Sequence, residues 1–266
     1  MKGFISRRHA ALSIASAGLT PMVHAWSPQA DSAVKRLPIL TYHRFSNTAT
    51  DSMTVRTSLF RAHLRLIERL KCNVIPLQDW VDFRCGKGTA IPERSVILTA
   101  DDGHRSQFEV MAPILASHGW KMTLFIYPSA ISNARYAMTW AQVHEMTRSR
   151  QYALGSHTYW HPNLIREQGH MSLANYRQFV TKQLTWSKDE LQQRCGQPVS
   201  LLAWPFGLCD GDLMGQAAEC GYQAAYALGN RPTTANDALY AEPRYLMVDS
   251  FSEQRLEALL TSILNG

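Results

Sequence analysis

Short apolar runs alternate with stretches of helical periodicity along most of this chain, and that rhythm restricts its fold more than any other feature. The runs "LPILTY", "NVIPL", "RSVILTA", "MTLFIYP", "YALGS", "VSLLAWP" and "YQAAYAL" have the length and apolar character of strands, and "AEPRYLMV" is a further candidate. Between them helices are expected around Gln107–His118, Trp140–Arg150, Leu173–Arg194 and Asp212–Cys220. "SLFRAHLRLIERL" places Leu59, Leu66 and Leu70 near one helical face, broadened by Phe60, Leu64 and Ile67. The last segment opens with a Ser250–Glu253 capping box and carries Leu256, Leu259, Leu260 and Ile263 at helical spacing. Strands alternating with helices imply an α/β fold, its helices outside a largely parallel sheet. At 266 residues, 45% of them hydrophobic, the chain can bury one substantial core or at most two small ones. No repeat, low-complexity tract or long linker divides it, so one barrel-like domain over residues 31–266 is expected.

The beginning of the chain reads differently. Residues 1–25, "MKGFISRRHAALSIASAGLTPMVHA", run from basic residues through a mildly apolar stretch to a small-x-small pattern suited to cleavage after Ala25. The adjacent Arg7 and Arg8 in "SRRHAAL" resemble a twin-arginine export signal, which implies a periplasmic or envelope location. An amphipathic helix or an uncleaved anchor is the alternative. The apolar part is short for a bilayer span, and no later segment looks transmembrane. The net charge of +6 is spread thinly, without a long basic run, which disfavours nucleic-acid binding. Cys72, Cys85, Cys195, Cys209 and Cys220 are an odd set with no CxxC pair; spacing assigns no disulfide, and they read as structural.

Polar clusters follow the candidate strands: "TYHRF", "TADDGH", "GSHTYWH" and "AWPFG". In parallel α/β barrels, side chains at the C-terminal ends of different strands converge on one mouth. His157 and His161 have the H-x3-H spacing that can offer two imidazoles to one metal. Pro162 disfavours helical geometry at His161, so a strand end and its following loop fit better than a helix turn. Two histidines and one carboxylate form a catalytic zinc set, equally suited to iron, cobalt or nickel. The neighbouring Asp101 and Asp102 would repel one another unless a cation offsets the charge of one, leaving the other free to accept a proton from water. That division of labour suits metal-assisted hydrolysis of an amide or ester. His43 is either a proton donor to a leaving amine or a buried histidine bonded to the backbone.

In order and spacing, "TADDG", "HTxxH" and "AWPFG" resemble the "TFDDG", "H[ST]xxH" and "RPPYG"-type motifs of the polysaccharide deacetylase family, the NodB-homology carbohydrate esterases. The early "ILTYHRF" resembles that family's permuted branch, which deacetylates poly-N-acetylglucosamine. The resemblance implies a distorted (β/α) barrel in a single domain, one divalent metal (usually zinc) and an acetylated polysaccharide as substrate. It implies Asp101 as general base, Asp102, His157 and His161 as metal ligands, and His43 as general acid. Ala203 stands in place of the motif arginine that orients the base; Arg244 either substitutes for it or is a structural surface arginine. Trp204, Pro205, Phe206 and Gly207 are expected to shape the sugar pocket, with the Phe206 N–H at the oxyanion, although Trp204 and Phe206 are alternatively core. Trp140 and Tyr159 have the same two readings, sugar-stacking or buried. Peptidoglycan, an acetylated xylan or a small non-peptide amide are alternative substrates. A non-catalytic carbohydrate-binding homologue is the alternative to an enzyme.

Overall fold

The computed structural model describes Met1 and residues 36–264; the export-signal reading, with Arg7, Arg8 and Ala25, lies outside the described residues. In chain order the strands are β1 (Ile39–Tyr42), β2 (Arg44–Ser46), β3 (Thr54–Arg56), β4 (Asn73–Val74), β5 (Ser95–Asp101), β6 (Met122–Ile126), β7 (Tyr152–Ser156), β8 (Leu201–Ala203), β9 (Ala224–Leu228) and β10 (Glu242–Leu246). β1, β5, β6, β7, β8, β9 and β10 pair in parallel in that sequence, and β10 returns to β1, closing a seven-stranded barrel. β2 and β3 form a separate parallel pair, which the sequence reading did not anticipate. The expected strand "NVIPL" shrinks to two residues because Pro76, which has no N–H to give, leads into the helix Leu77–Arg84.

Period-two alternation sorts the strand residues between two cores. Ile39, Ile97, Phe125, Leu201, Ala203 and Tyr226 pack together in one cluster within the ring. Leu40, Leu98, Ala100, Leu124, Ile126 and Leu154 belong to the layer that meets the helices. Both faces are apolar, which is why the strands read as continuous hydrophobic runs. Asp101 follows Ile97 and Thr99 in steps of two, so the register of β5 turns its carboxylate inward at the strand's C-terminal end. Gly155 lies opposite Phe125 in the β6–β7 register, and a Cβ there would overlap the Phe125 ring. Only glycine lets that ring lie flat inside the barrel, and the Arg244 guanidinium sits 5.2 Å above it.

Helix boundaries differ from expectation in identifiable ways. The helix expected over Gln107–His118 is a π-helical turn, Gln107–Met111, followed by Ala112–Ala116, and Gln107 is fully buried. The Ser250–Glu253 capping box does not form; the helix Glu253–Leu264 is capped by Ser252, whose Oγ accepts from Arg255 N at 3.2 Å. On Thr57–Arg69 the buried residues are Phe60, Ala62, His63, Leu64, Leu66 and Ile67, as expected for Phe60, Leu64, Leu66 and Ile67, while Leu59 and Leu70 are only half-buried. All five cysteines are unpaired. Among the described residues no helix is long and apolar enough to cross a membrane.

His63 gives the fold a pH dependence away from the barrel mouth. Its Nε2–H donates to Phe251 O at 2.8 Å and its Nδ1 accepts from Tyr42 Oη at 3.1 Å, so the neutral ring is fully satisfied. Burial pushes its pKa below the usual 6.5, against weaker opposing pulls from the Phe251 carbonyl, Glu253 and Asp249. Below pH 6.5 the unfolded chain therefore binds the extra proton first, and this contribution to stability, complete above 6.5, is lost as the pH falls. In thermal melts between pH 7.5 and 5, His63→Gln is expected to lose midpoint temperature less steeply with acidification than the wild type. Parallel slopes would remove His63 from the account.

Candidate active site

The C-terminal ends of β1, β5, β7 and β8 bring the polar clusters of the sequence to one mouth. β5 ends at Asp101, and the chain then turns through Asp102 and Gly103 with φ of 78° and 70°. This left-handed pair reverses the chain direction and presents the second carboxylate beside the first; Asp tolerates the conformation better than most residues. A side chain at Gly103 would press on Ile126 and Ile131. The loop after β7 carries Thr158 and His161, both at φ 63°. A β-branched residue there is a strained one, and such strain collects where geometry serves function.

The loop's strain delivers two imidazoles to Asp102. His157 Nε2 lies 3.6 Å and His161 Nε2 3.7 Å from Asp102 Oδ1. One ligand atom from each of the three residues falls within 4.8 Å of the others. His157 Nδ1 donates to Ala203 O at 2.7 Å, since a carbonyl only accepts, and this bond orients the ring with Nε2 toward Asp102. Burial, with His157 close by, pushes His161 down to about 4, leaving it neutral near pH 7. Two imidazoles and a carboxylate converging on one point are the donor set a divalent zinc, cobalt, nickel or iron ion takes, and the residues fit it.

Asp101, its Oδ2 3.9 Å from His157 Nε2, borders that trio but is held by a different partner. Arg244, on β10, donates Nη1 to Oδ1 at 2.8 Å and Nη2 to Oδ2 at 2.7 Å, a bidentate pair with both residues buried. The surface-arginine alternative for Arg244 is thereby excluded: it is 0% exposed. Burial alone would raise the Asp101 carboxyl, but the Arg244 charge, with His157 and His43, holds it at about 2. His43 follows β1 with Nε2 4.0 Å from Asp101 Oδ2. Burial lowers its pKa, and the pull of Asp101 and Asp102 in the other direction is smaller, so the resting ring is neutral.

The remaining expected residues divide. Trp204 is a correction: it is fully buried and donates Nε1–H to Tyr240 O at 2.8 Å, so it belongs to the core and has no face for a sugar. Pro205 is buried with it. Phe206, one residue on, has φ 59°, which turns it outward to 55% exposure with its ring 4.8 Å from His161. Gly207 at φ 69° packs against Leu228 with no room for a Cβ. Tyr159 is half-buried in the loop between the two histidines. Trp140 lies under Arg194, 5.1 Å from its guanidinium, and none of its described contacts reaches the carboxylates or histidines of the mouth.

Two residues escaped the sequence reading. Gln107 Nε2 donates to both His43 O (2.9 Å) and Asp101 O (2.5 Å), tying the ends of β1 and β5 together. Nothing in a lone glutamine signals this. Tyr127, directly after β6, places its ring 5.3 Å from His161 and its hydroxyl 2.9 Å from that of Tyr136. The strand-end rule that picked out the other clusters applies to "FIYP" as well.

Comparison with known proteins agrees with this geometry. A family model described as polysaccharide deacetylase matches residues 89–225. A poly-beta-1,6-N-acetyl-D-glucosamine N-deacetylase of Escherichia coli K12 is 23% identical over 246 residues, covering 79% of this chain but only 36% of the relative, so the chain spans about a third of that protein's length. The protein of the same name from Staphylococcus aureus MRSA252 is 20% identical, covering 81% of this chain and 75% of the relative. Among solved structures, the Streptococcus pyogenes deacetylase PplD superposes with a TM-score of 0.76 at 21% identity, covering 85% of this chain and 99% of that one. IcaB from Ammonifex degensii does so with a TM-score of 0.72 at 20% identity, covering 85% and 97%. At these identities the superpositions speak for the shared barrel.

Proposed function

The chain belongs to the polysaccharide deacetylase family, and from that premise we propose that it is an exported, metal-dependent N-deacetylase of N-acetylglucosamine units in an envelope or extracellular polysaccharide, with poly-N-acetylglucosamine favoured. The observation that carries this reading is the division of the two neighbouring aspartates: Asp102 faces two imidazoles while Asp101 is clamped, ionised, by Arg244.

Asp102, His157 and His161 would hold the divalent metal, zinc first, which supplies water activation and polarisation of the acetyl carbonyl. Asp101 is the base that takes the proton of the attacking water; Arg244 fixes its orientation and keeps it charged. His43, with Nε2 4.0 Å from Asp101 Oδ2, takes that proton through one bridging water and gives it to the departing glucosamine nitrogen. Because burial lowers the His43 pKa, its protonated ring is a stronger acid toward a poor leaving group than an exposed imidazolium is. The Phe206 N–H, on its left-handed turn at the mouth, is the candidate donor to the carbonyl oxygen as charge builds there. Acetate and a free amine result.

The purified protein is expected to release acetate from poly-N-acetylglucosamine, to stop when a chelator strips its metal, and to resume when zinc or cobalt is restored. Acetate from peptidoglycan, acetylated xylan or a small amide instead would move the substrate. Glycan binding with no acetate from any of them, metal supplied, would sink the enzymatic reading.

A further inference from the structure

Large aromatic side chains stand exposed around the loop that carries the ligand histidines. Trp160 is 46%, Trp186 51% and Phe206 55% exposed. Fixed indoles left open to water are costly unless something covers them, and a group of them beside a reaction site marks a binding surface. Tyr159 meets Trp186 edge to face at 5.6 Å, and Trp160 meets Phe179 at 6.1 Å. Phe179 and Trp186 lie on the helix Leu173–Cys195, seven positions apart. That spacing keeps them on one face, two turns or about 10 Å from each other. The result is two aromatic clusters side by side, each joining one loop residue to one helix residue, running outward from the metal site.

The arrangement is held in place from beneath. Trp160 N donates to the buried Gln183 Oε1 at 3.1 Å, Ser156 and Ser187 share a hydroxyl bond at 2.7 Å, and Ser129 N donates to Tyr159 O at 3.1 Å. Rings ordered before a ligand arrives lose little entropy on binding it. An exposed indole next to a mouth that processes sugars, with Tyr159 edge to face against Trp186 and Lys182 Nζ 5.8 Å from its ring centre, suits the apolar face of a pyranose ring, with the polar groups of the sugar left toward water or Lys182.

The geometry points to Trp186, with Trp160, as a distal stacking subsite for a sugar of the same glycan chain, beyond the unit being deacetylated. This rests on the deacetylase reading above and adds a dependence on chain length: an oligomer engages both places, a short substrate only one.

The test compares Trp186→Ala and Trp186→Phe with the wild type on a fully acetylated β-1,6-linked N-acetylglucosamine hexamer and on a small acetyl ester. Trp186→Ala is expected to lower kcat/KM on the hexamer about tenfold, through KM, with kcat and ester turnover unchanged. Trp186→Phe should recover most of the loss. Calorimetric titration of the hexamer, in an Asp101→Asn background that prevents turnover, should show the same weakening. Equal hexamer kinetics and affinity in Trp186→Ala and its parent would overturn the subsite and leave the deacetylase reading intact. Hexamer binding that depends on Trp186 in a wild type that releases no acetate from it would support the subsite and overturn the reaction. No hexamer binding by the parent protein would overturn the subsite as well.

Discussion

Asp101→Asn is expected to cut acetate release by about a thousandfold while the protein keeps its metal, since a neutral amide cannot take the proton of the attacking water. The substitution is nearly isosteric and leaves Asp102, His157 and His161 in the sequence, so all three side chains that could hold the ion remain. It does leave Arg244 buried beside a neutral partner, so some loss of stability accompanies the loss of rate. The decisive readout is therefore paired: metal content by elemental analysis and turnover on the same preparation. Full metal occupancy with normal turnover would remove Asp101 from its role as base.

Arg244→Ala is expected to be the more damaging change to the fold. It strands a buried carboxylate, and breaking one side of such a pair costs roughly 3–5 kcal/mol. Its kinetic effect has a definite sign. With Arg244 present, Asp101 titrates at about 2 and stays ionised over the working range. Without it, the upward push of burial is no longer offset by the guanidinium, so the rate should fall as the pH drops through a raised Asp101 pKa. Arg244→Lys keeps a charge but cannot make the two parallel bonds, and should fall between the two. Urea denaturation, together with kcat/KM from pH 5 to 8, checks both parts. A pH profile unchanged in Arg244→Ala would show that the arginine acts on stability alone.

The barrel was legible because its strands are covered on both sides, so each appears as an unbroken apolar run. The grouping of Asp102, His157 and His161 was legible because each follows such a run within a few residues. Arg244 was left between two readings for a physical reason. Whether an arginine is buried depends on its partner, and that partner lies 143 residues earlier in the chain. Trp204 and Phe206 show a second limit. Both are large and apolar, two positions apart, and a left-handed backbone at Phe206 alone decides which faces solvent. The capping residue of the last helix was misplaced because Ser250 and Ser252 are both competent caps, and the packing of Phe251 settles which is used.

β1, which leads into His43, lies between the strand that ends in Asp101 and the strand that bears Arg244. A chain that stops before residue 242 therefore lacks both the guanidinium partner of Asp101 and one of the two strands that flank β1. Final assembly waits for one of the longest contacts in sequence, a step that topology makes slow.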